Sequence, residues 1–105
     1  MKIRMERVLL SLGHGYSARA LARLLRPQGW RIIGTTRSAE NAERLVAEGV
    51  EPLVWPGSDL APALAEATHL LTSVSPDAEG DPVLRQAGAE IAAAAPRLAW
   101  AGYLS

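Results

Sequence analysis

A glycine-rich turn follows the first apolar segment of this 105-residue chain and constrains its fold more than any other feature. The segment Arg7–Leu12 leads into the run Gly13–Ala18, which has the spacing Gly-x-Gly-x-x-Ala. Gly13 permits a tight turn, Gly15 lets a ligand approach the backbone, and Ala18 lets a helix pack close to the strand. The free N–H groups and the positive dipole end of that helix would then face an anionic ligand. The pattern predicts a site for a dinucleotide pyrophosphate, and the alternative is a tight turn without a ligand.

Apolar segments alternate with helical patterns along the whole chain. Strands are predicted at Arg7–Leu12, Trp30–Thr35, Val50–Trp55, Thr68–Val74 and Leu98–Leu104. Helices are predicted at Tyr16–Arg26, Ala39–Glu48, Asp59–Ala67 and Pro82–Ala95. Strict alternation with short turns implies parallel pairing and right-handed crossovers. We therefore expect one α/β domain, residues 1–105, with a Rossmann-type doubly wound parallel sheet of five strands in the order 3-2-1-4-5.

Helical periodicity assigns apolar side chains of the first two helices to the sheet. These side chains are Ala18, Leu21, Leu24 and Leu25 in the first helix and Ala42, Leu45 and Val46 in the second. They recur at the spacing of one helix face, which predicts that each helix buries that stripe. Ser38 has the residue type and position of an N-cap for the second helix.

Three predicted loops converge where the strand order reverses, at the carboxyl ends of the strands, which is where such sheets bind ligands. The loops are Gly13–Ser17, Thr35–Ser38 and Ser73–Pro76. The predicted cofactor-binding residues are Gly13, His14, Gly15, Tyr16, Ser17, Thr36, Arg37, Ser38, Ser73, Val74 and Ser75. His14 is expected to orient the turn or to face solvent rather than to act in acid–base chemistry.

The segment after the second strand indicates which cofactor, NADP or NAD, the chain would bind. A site for NAD normally carries an acid about 20 residues after the glycines, where it accepts from the ribose 2′-hydroxyl. The segment Gly34–Ser38 contains no carboxylate. Thr36, Arg37 and Ser38 instead offer two hydroxyls and a guanidinium, which suit a 2′-phosphate. A cation at a helix start is unfavourable unless an anion joins it. We therefore predict NADP, with NAD as the second candidate.

Composition and charge exclude several other classes of protein. The chain carries 11 basic and 11 acidic residues with no basic block, which argues against a nucleic-acid partner. Cysteine is absent and no pair of histidines or carboxylates has metal-ligand spacing, so no metal site is predicted. The apolar runs are too short to span a membrane, and the start of the chain does not resemble a signal peptide. A cytoplasmic protein is expected.

The assembled residues resemble the N-terminal part of the short-chain dehydrogenase/reductase superfamily, and within it the extended or atypical NAD(P)-dependent epimerase/dehydratases. The resemblance lies in Gly13–Ala18, Gly34–Arg37, the turn Trp55–Leu60 and the closing Gly102–Ser105. It covers essentially the whole chain, and the glycine motif is its specific part. It implies an oxidoreductase that transfers hydride between a nicotinamide and an alcohol or carbonyl substrate such as a sugar nucleotide. It also implies a tyrosine as general acid, a lysine four residues further on and a nearby Ser or Thr.

The chain departs from this resemblance at the catalytic residues. Its tyrosines are Tyr16 and Tyr103, its single lysine is Lys2, and Ala20 stands four residues after Tyr16. No Tyr-x-x-x-Lys pair exists, so no catalytic residue is predicted. In the family a Ser/Thr-rich segment follows the fifth strand, and Ser105 would be its first residue. The expectation is the front part of a longer enzyme, which binds cofactor but has no turnover on its own.

Other interpretations remain open beside this resemblance. NADP-dependent β-hydroxyacid dehydrogenases also place an Arg-Ser/Thr pair after strand 2, much like Arg37 and Ser38. A non-catalytic nucleotide-sensing Rossmann module is a second alternative, although it predicts an acid after strand 2. A structural remnant without a ligand is a third. Separately, the apolar residues Leu98, Trp100 and Leu104 on the predicted edge strand suggest a homodimer through that edge.

Overall fold

Strands and helices alternate along the computed structural model, which describes residues 7–14, 16–55, 59–72, 88–89, 91–94, 96, 98 and 100–103. The strands are β1 (Val8–Leu12), β2 (Arg31–Thr36), β3 (Glu51–Val54), β4 (His69–Thr72) and β5 (Trp100–Tyr103). The helices are α1 (Tyr16–Leu25), α2 (Ala39–Ala47) and α3 (Ala61–Glu66), with a short 3-10 helix at Arg26–Gln28 after α1. Residues 88–89 and 91–94 are also helical. The predicted α/β class is confirmed.

All the strand pairs of the sheet are parallel, and the strand order is β3-β2-β1-β4-β5. β2 and β3 are therefore added on one side of β1, and β4 and β5 on the other, so the strand order reverses between β1 and β4. Ser11 near the end of β1 stands opposite Gly34 of β2 on one side and opposite Leu71 of β4 on the other. This register brings the glycine turn after β1 next to the end of β2, as a Rossmann-type sheet requires.

Two apolar clusters cover the two faces of the sheet. One contains Leu9, Ala18, Ala22, Ile32, Leu45, Val50 and Leu71, so it joins the sheet to α1 and α2. The other contains Val8, Leu10, Leu12, Ile33, Trp55, Leu60, Ala63, Leu64, Ala67, Leu70 and Ala94, so it joins the sheet to α3. Alternate residues of β1 enter opposite clusters because successive side chains of a strand point to opposite faces. Burial on both faces explains why every residue of β1 except Ser11 is apolar.

Two residues assigned to the inner helix faces from the sequence are exposed, so that part of the prediction was wrong. Leu24 of α1 is 67% exposed and Val46 of α2 is 60% exposed. At about 100° per residue Leu24 lies well off the buried stripe of α1, which Ala22 joins instead. Val46 lies about 100° around α2 from Leu45, the buried residue of that helix, and so falls off the covered stripe.

A small aromatic cluster lies at the amino ends of the strands. The rings of Trp30 and His69 meet edge to face with centroids 4.6 Å apart, and the Arg7 guanidinium lies 5.7 Å from the Trp30 centroid. Thr68 Oγ1 is 2.8 Å from His69 Nδ1, and it also accepts from the backbone N–H of Val8. Burial lowers the pKa of His69 below its usual 6.5, and the positive charge of Arg7 lowers it further.

This lowered pKa predicts an acid-sensitive contribution of His69 to stability. The unfolded chain takes up the proton near the ordinary His value of 6.5, before the folded chain does, so the stabilisation is present above that pH and is lost as the pH falls through the folded-state value. Between about pH 7.5 and pH 5, the melting temperature of the wild type should fall further than that of His69→Gln. An equal fall in both proteins, measured by circular dichroism, would contradict the assignment.

Candidate functional site

The glycine turn after β1 is held against the end of β2 by Thr35. Gly13 has a φ of 77°, in the left-handed region that favours glycine, which turns the chain sharply off the strand. The N–H of Gly13 donates to Thr35 Oγ1 at 2.7 Å, and the N–H of His14 donates to the Thr35 carbonyl at 3.3 Å. Thr35 is only 3% exposed. A buried residue that was not among the predicted site residues thus fixes the turn by both its side chain and its backbone.

Thr35→Val is expected to destabilise the fold by about 1 kcal/mol, because it keeps the volume of the side chain but removes the hydroxyl that accepts from Gly13. In a domain of this size that loss corresponds to roughly 5 °C in melting temperature. Thr35→Ser keeps the hydroxyl and is the matched control. Equal melting temperatures for the Val and Ser variants would show that the hydrogen bond contributes nothing.

The β2–α2 loop leaves its polar groups free to donate. Ser38 is the N-cap of α2, as predicted, and its Oγ accepts from the N–H of Asn41 at 3.1 Å. Thr36 Oγ1 accepts from the N–H of Ser38 at 3.4 Å. Each hydroxyl is used here as an acceptor, so its own proton stays available for a bound acceptor such as a phosphate oxygen.

Arg37 stands between these two hydroxyls and is exposed. Within the described part of the chain it has no hydrogen-bond or ion-pair partner. The nearest carboxylate along the chain is Glu40, in the first turn of α2. The loop therefore presents a free guanidinium and two hydroxyl donors beside the helix N-terminus, which together match an anion.

His14 is turned inward rather than toward solvent. A Cβ placed on Gly34 would lie 2.9 Å from His14 Cγ, so the imidazole rests directly on the glycine backbone. Its two ring nitrogens are buried and have no partner among the described residues. Burial lowers the pKa of His14 below 6.5, opposed by the charge of Glu48 and assisted by that of Arg19. Of the two predicted positions for His14, facing solvent is wrong.

An ion pair that the sequence did not reveal joins α1 to the end of α2. Arg19 Nε and Nη2 donate to the two carboxylate oxygens of Glu48, both at 2.9 Å. These hydrogen bonds hold the pKa of Glu48 below its usual range. The pair fixes the two helices that flank the glycine turn. No spacing in the sequence signals it, because the partners are far apart in the chain and meet only once the sheet register is set.

The remaining predicted site residues are described only in part. Tyr16 and Ser17 lie in the first turn of α1, where the structure describes their backbone. Gly15 and the segment 73–75, which contains Ser73, Val74 and Ser75, lie outside the described residues. Among the residues that are described, no group of His, Asp and Glu is arranged to hold a metal ion, and no helix is long and apolar enough to cross a membrane.

Comparison with solved structures places the chain among Rossmann-type domains. A functionally unknown conserved protein from Silicibacter pomeroyi is 56% identical over 94% of this chain and 35% of its own, with a TM-score of 0.87. Yeast methylglyoxal/isovaleraldehyde reductase complexed with NADPH is 22% identical over 66% of this chain and 24% of its own, with a TM-score of 0.55. The TrkA-N domain of an Escherichia coli inner membrane protein is 18% identical over 98% of this chain and 77% of its own, with a TM-score of 0.65.

The two more distant likenesses establish the fold alone. No protein-family model and no curated protein sequence matches the chain. The chain spans about a third of the length of the Silicibacter protein, whose sequence is the most similar of the three. The comparisons thus describe a Rossmann-type domain that also occurs as part of larger proteins, including a reductase.

Proposed function

We propose that this chain is the dinucleotide-binding domain of a larger NAD(P)-dependent oxidoreductase and that it prefers NADP. The observation that carries the proposal is the juxtaposition of the glycine turn with the β2–α2 loop. Thr35 ties the turn to the end of β2, and the next residues present the free guanidinium of Arg37 between two hydroxyl donors. The turn suits a pyrophosphate, and the loop suits the 2′-phosphate of the adenosine ribose.

The likeness to an NADPH-complexed yeast reductase supports the same assignment. The family proposed is the epimerase/dehydratase-like branch of the short-chain dehydrogenases/reductases, on the residues that carry that resemblance. The chain has no Tyr-x-x-x-Lys pair, so the catalytic acid would have to come from another part of the protein. A domain of the β-hydroxyacid dehydrogenase type, with its Arg-Ser pair after strand 2, accounts equally for Arg37 and Ser38.

Thermal unfolding with added nucleotides tests the proposal. A ligand at 100 times its dissociation constant stabilises the folded state by about 2.7 kcal/mol, which is roughly 10 °C or more in a domain of this size. NADPH should raise the melting temperature more than equal NADH. The isolated chain should not oxidise NADPH in the presence of an aldehyde or ketone. Turnover by the chain alone would contradict the proposal that the catalytic acid lies in another part of the protein.

A nucleotide-sensing module is a second candidate, favoured by one observation. The TrkA-N domain of an inner membrane protein is of similar size to this chain, which covers 77% of its length. The absence of an acid in Gly34–Ser38 counts against a sensor of NAD(H). Tighter binding of NADH than of NADPH would favour the sensor over the reductase domain.

A homodimer is proposed along β5. Within the described sheet, β5 pairs with β4 on one side and forms an edge on the other. An unpaired edge is a template for strand addition. Sedimentation equilibrium should therefore show dimers at high concentration, and a monomer throughout would remove this part of the proposal.

A further inference from the structure

The His14 imidazole packs against the backbone of Gly34, in a space that a side chain at position 34 would fill. We call this space, between Gly34 and Val50, the notch. A Cβ on Gly34 would lie 2.9 Å from His14 Cγ, 3.1 Å from His14 Cβ and 3.1 Å from Val50 Cγ1. The backbone N–H of the same histidine donates to the carbonyl of Thr35, the next residue of β2. The ring and the backbone of His14 therefore both contact β2, and they join the glycine turn to that strand.

Polar atoms on this side of the sheet lack partners. Both ring nitrogens of His14 and the Oγ of Ser11 are buried without a hydrogen bond within the described structure. Ser11 stands opposite Gly34 and two residues after Leu9, and residues two apart in a strand share a face. Its side chain therefore lies on the α1–α2 side of the sheet, as the His14 ring does. A neutral imidazole tolerates this environment at some desolvation cost, whereas an imidazolium there would be a buried charge without a direct partner.

The charged groups that face the ring are already engaged with each other. Glu48, at the end of α2, and Arg19, on α1, form a two-bond ion pair with both distances at 2.9 Å. The Glu48 carboxylate already accepts two hydrogen bonds from Arg19, so it would do little to stabilise a positive charge on the His14 ring. Gly34 of β2 and Val50, which precedes β3, are uncharged neighbours of the ring, and Ser11 opposite Gly34 is uncharged as well.

We propose that His14 is a positioning residue whose neutral ring, seated on Gly34, holds the glycine turn in its dinucleotide-binding form, and that protonation unseats the ring and weakens binding. The inference rests on the proposed dinucleotide function. Within the described structure both ring nitrogens are buried and neither makes a hydrogen bond, so a proton added there would be a buried charge, which favours departure of the ring from the notch. The turn then loses the contact beneath it, and the first turn of α1 loses its fixed orientation toward the pyrophosphate.

Linkage gives the direction of the effect. Burial already lowers the pKa of His14 in the free chain. If the dinucleotide binds the form with the ring seated and neutral, it must lower that pKa further, because binding and proton release are reciprocal. A ring that instead pointed at the pyrophosphate would become more basic on binding, so the two arrangements predict opposite signs.

The first test compares NADP⁺ binding by the wild type and by His14→Gln, measured by calorimetry at about pH 8 and pH 5.5. The oxidised cofactor is used because NADPH decomposes in acid. Its 2′-phosphate itself titrates near pH 6, so the quantity of interest is the difference between the two proteins. We expect wild-type binding to weaken by roughly threefold more than that of His14→Gln between these pH values, because a lowered pKa limits how much of the free chain is protonated at pH 5.5.

The second test needs no variant at position 14. The chain has two histidines, and His69→Gln removes the other signal, so the His14 ring can be titrated by NMR with and without NADP⁺. A lower titration midpoint in the bound chain supports the inference. A higher midpoint, or an equal loss of binding in wild type and His14→Gln, overturns it alone. Absence of NADP⁺ binding at pH 8 overturns the proposed function as well, which distinguishes the two failures.

Discussion

Arg37→Ala is expected to weaken NADPH binding by about 10- to 100-fold, because a charged hydrogen bond to a phosphate contributes roughly 1.5–3 kcal/mol. NADH binding should change by less than about twofold, since NADH lacks the 2′-phosphate that the guanidinium would contact. Arg37 is exposed and has no partner among the described residues, so its removal breaks no interaction seen in the fold. The variant therefore separates recognition of the phosphate from folding.

Two further variants sharpen that result. Arg44→Ala removes a positive charge from the last turn of α2, the helix that follows Arg37, and should leave both affinities unchanged. Arg37→Lys keeps the charge but loses the planar fork, so its NADPH affinity should be intermediate. Equal losses of NADPH affinity in Arg37→Ala and Arg44→Ala would show a general charge effect and contradict a specific phosphate contact. Calorimetric titration of the variants with both nucleotides measures all of these outcomes.

Gly34→Ala is expected to destabilise the fold by about 2 kcal/mol, or roughly 10 °C in melting temperature. The added methyl would meet two His14 atoms and Val50 Cγ1 at 2.9–3.1 Å, and these neighbours have little room to move because Val50 and the His14 ring nitrogens are buried. The affected backbone also leads into Thr35, which anchors the glycine turn. Dinucleotide binding should therefore weaken together with stability.

The chain provides a matched control for this substitution. Gly88 lies in a helical segment with nothing within 4 Å of an added Cβ, so Gly88→Ala should be neutral or slightly stabilising. His14→Ala removes the atom nearest to the new methyl, and in the double variant Gly34→Ala should cost less than it does alone. Additive costs of the two substitutions would mean that the His14 ring does not determine why position 34 is glycine.

Local signals in the sequence predicted the parts of the fold that depend on neighbouring residues. The alternation of apolar runs with helical periodicity predicted the parallel α/β class, because each element carries its own pattern. The N-cap at Ser38 was predictable for the same reason, since the cap and the helix it begins are adjacent in sequence. Gly13 was predicted to allow a tight turn, and its φ of 77° is of that kind.

The contacts that assemble the site depend on distant residues and escaped prediction. Thr35 reads as an ordinary strand residue until the register places its hydroxyl 2.7 Å from the Gly13 nitrogen. The contact between Gly34 and the His14 ring was not predicted, because it depends on where that ring lies. The pairing of Arg19 with Glu48 likewise requires the packing of two helices. Periodicity also overestimated the buried face of α1 at Leu24, which lies off the stripe the sheet covers.

The glycine turn and the β2–α2 loop are proposed to bind NADP together, and calorimetric titration of the wild-type chain with NADPH and then NADH measures this binding. We expect saturable binding of both nucleotides, with NADPH at least about tenfold tighter, as one additional phosphate–guanidinium contact provides. Binding of NADH more tightly than NADPH would contradict the claim and would point to Glu40 as a ribose acceptor. The absence of heat and of a thermal shift with either nucleotide would refute nucleotide binding by this chain.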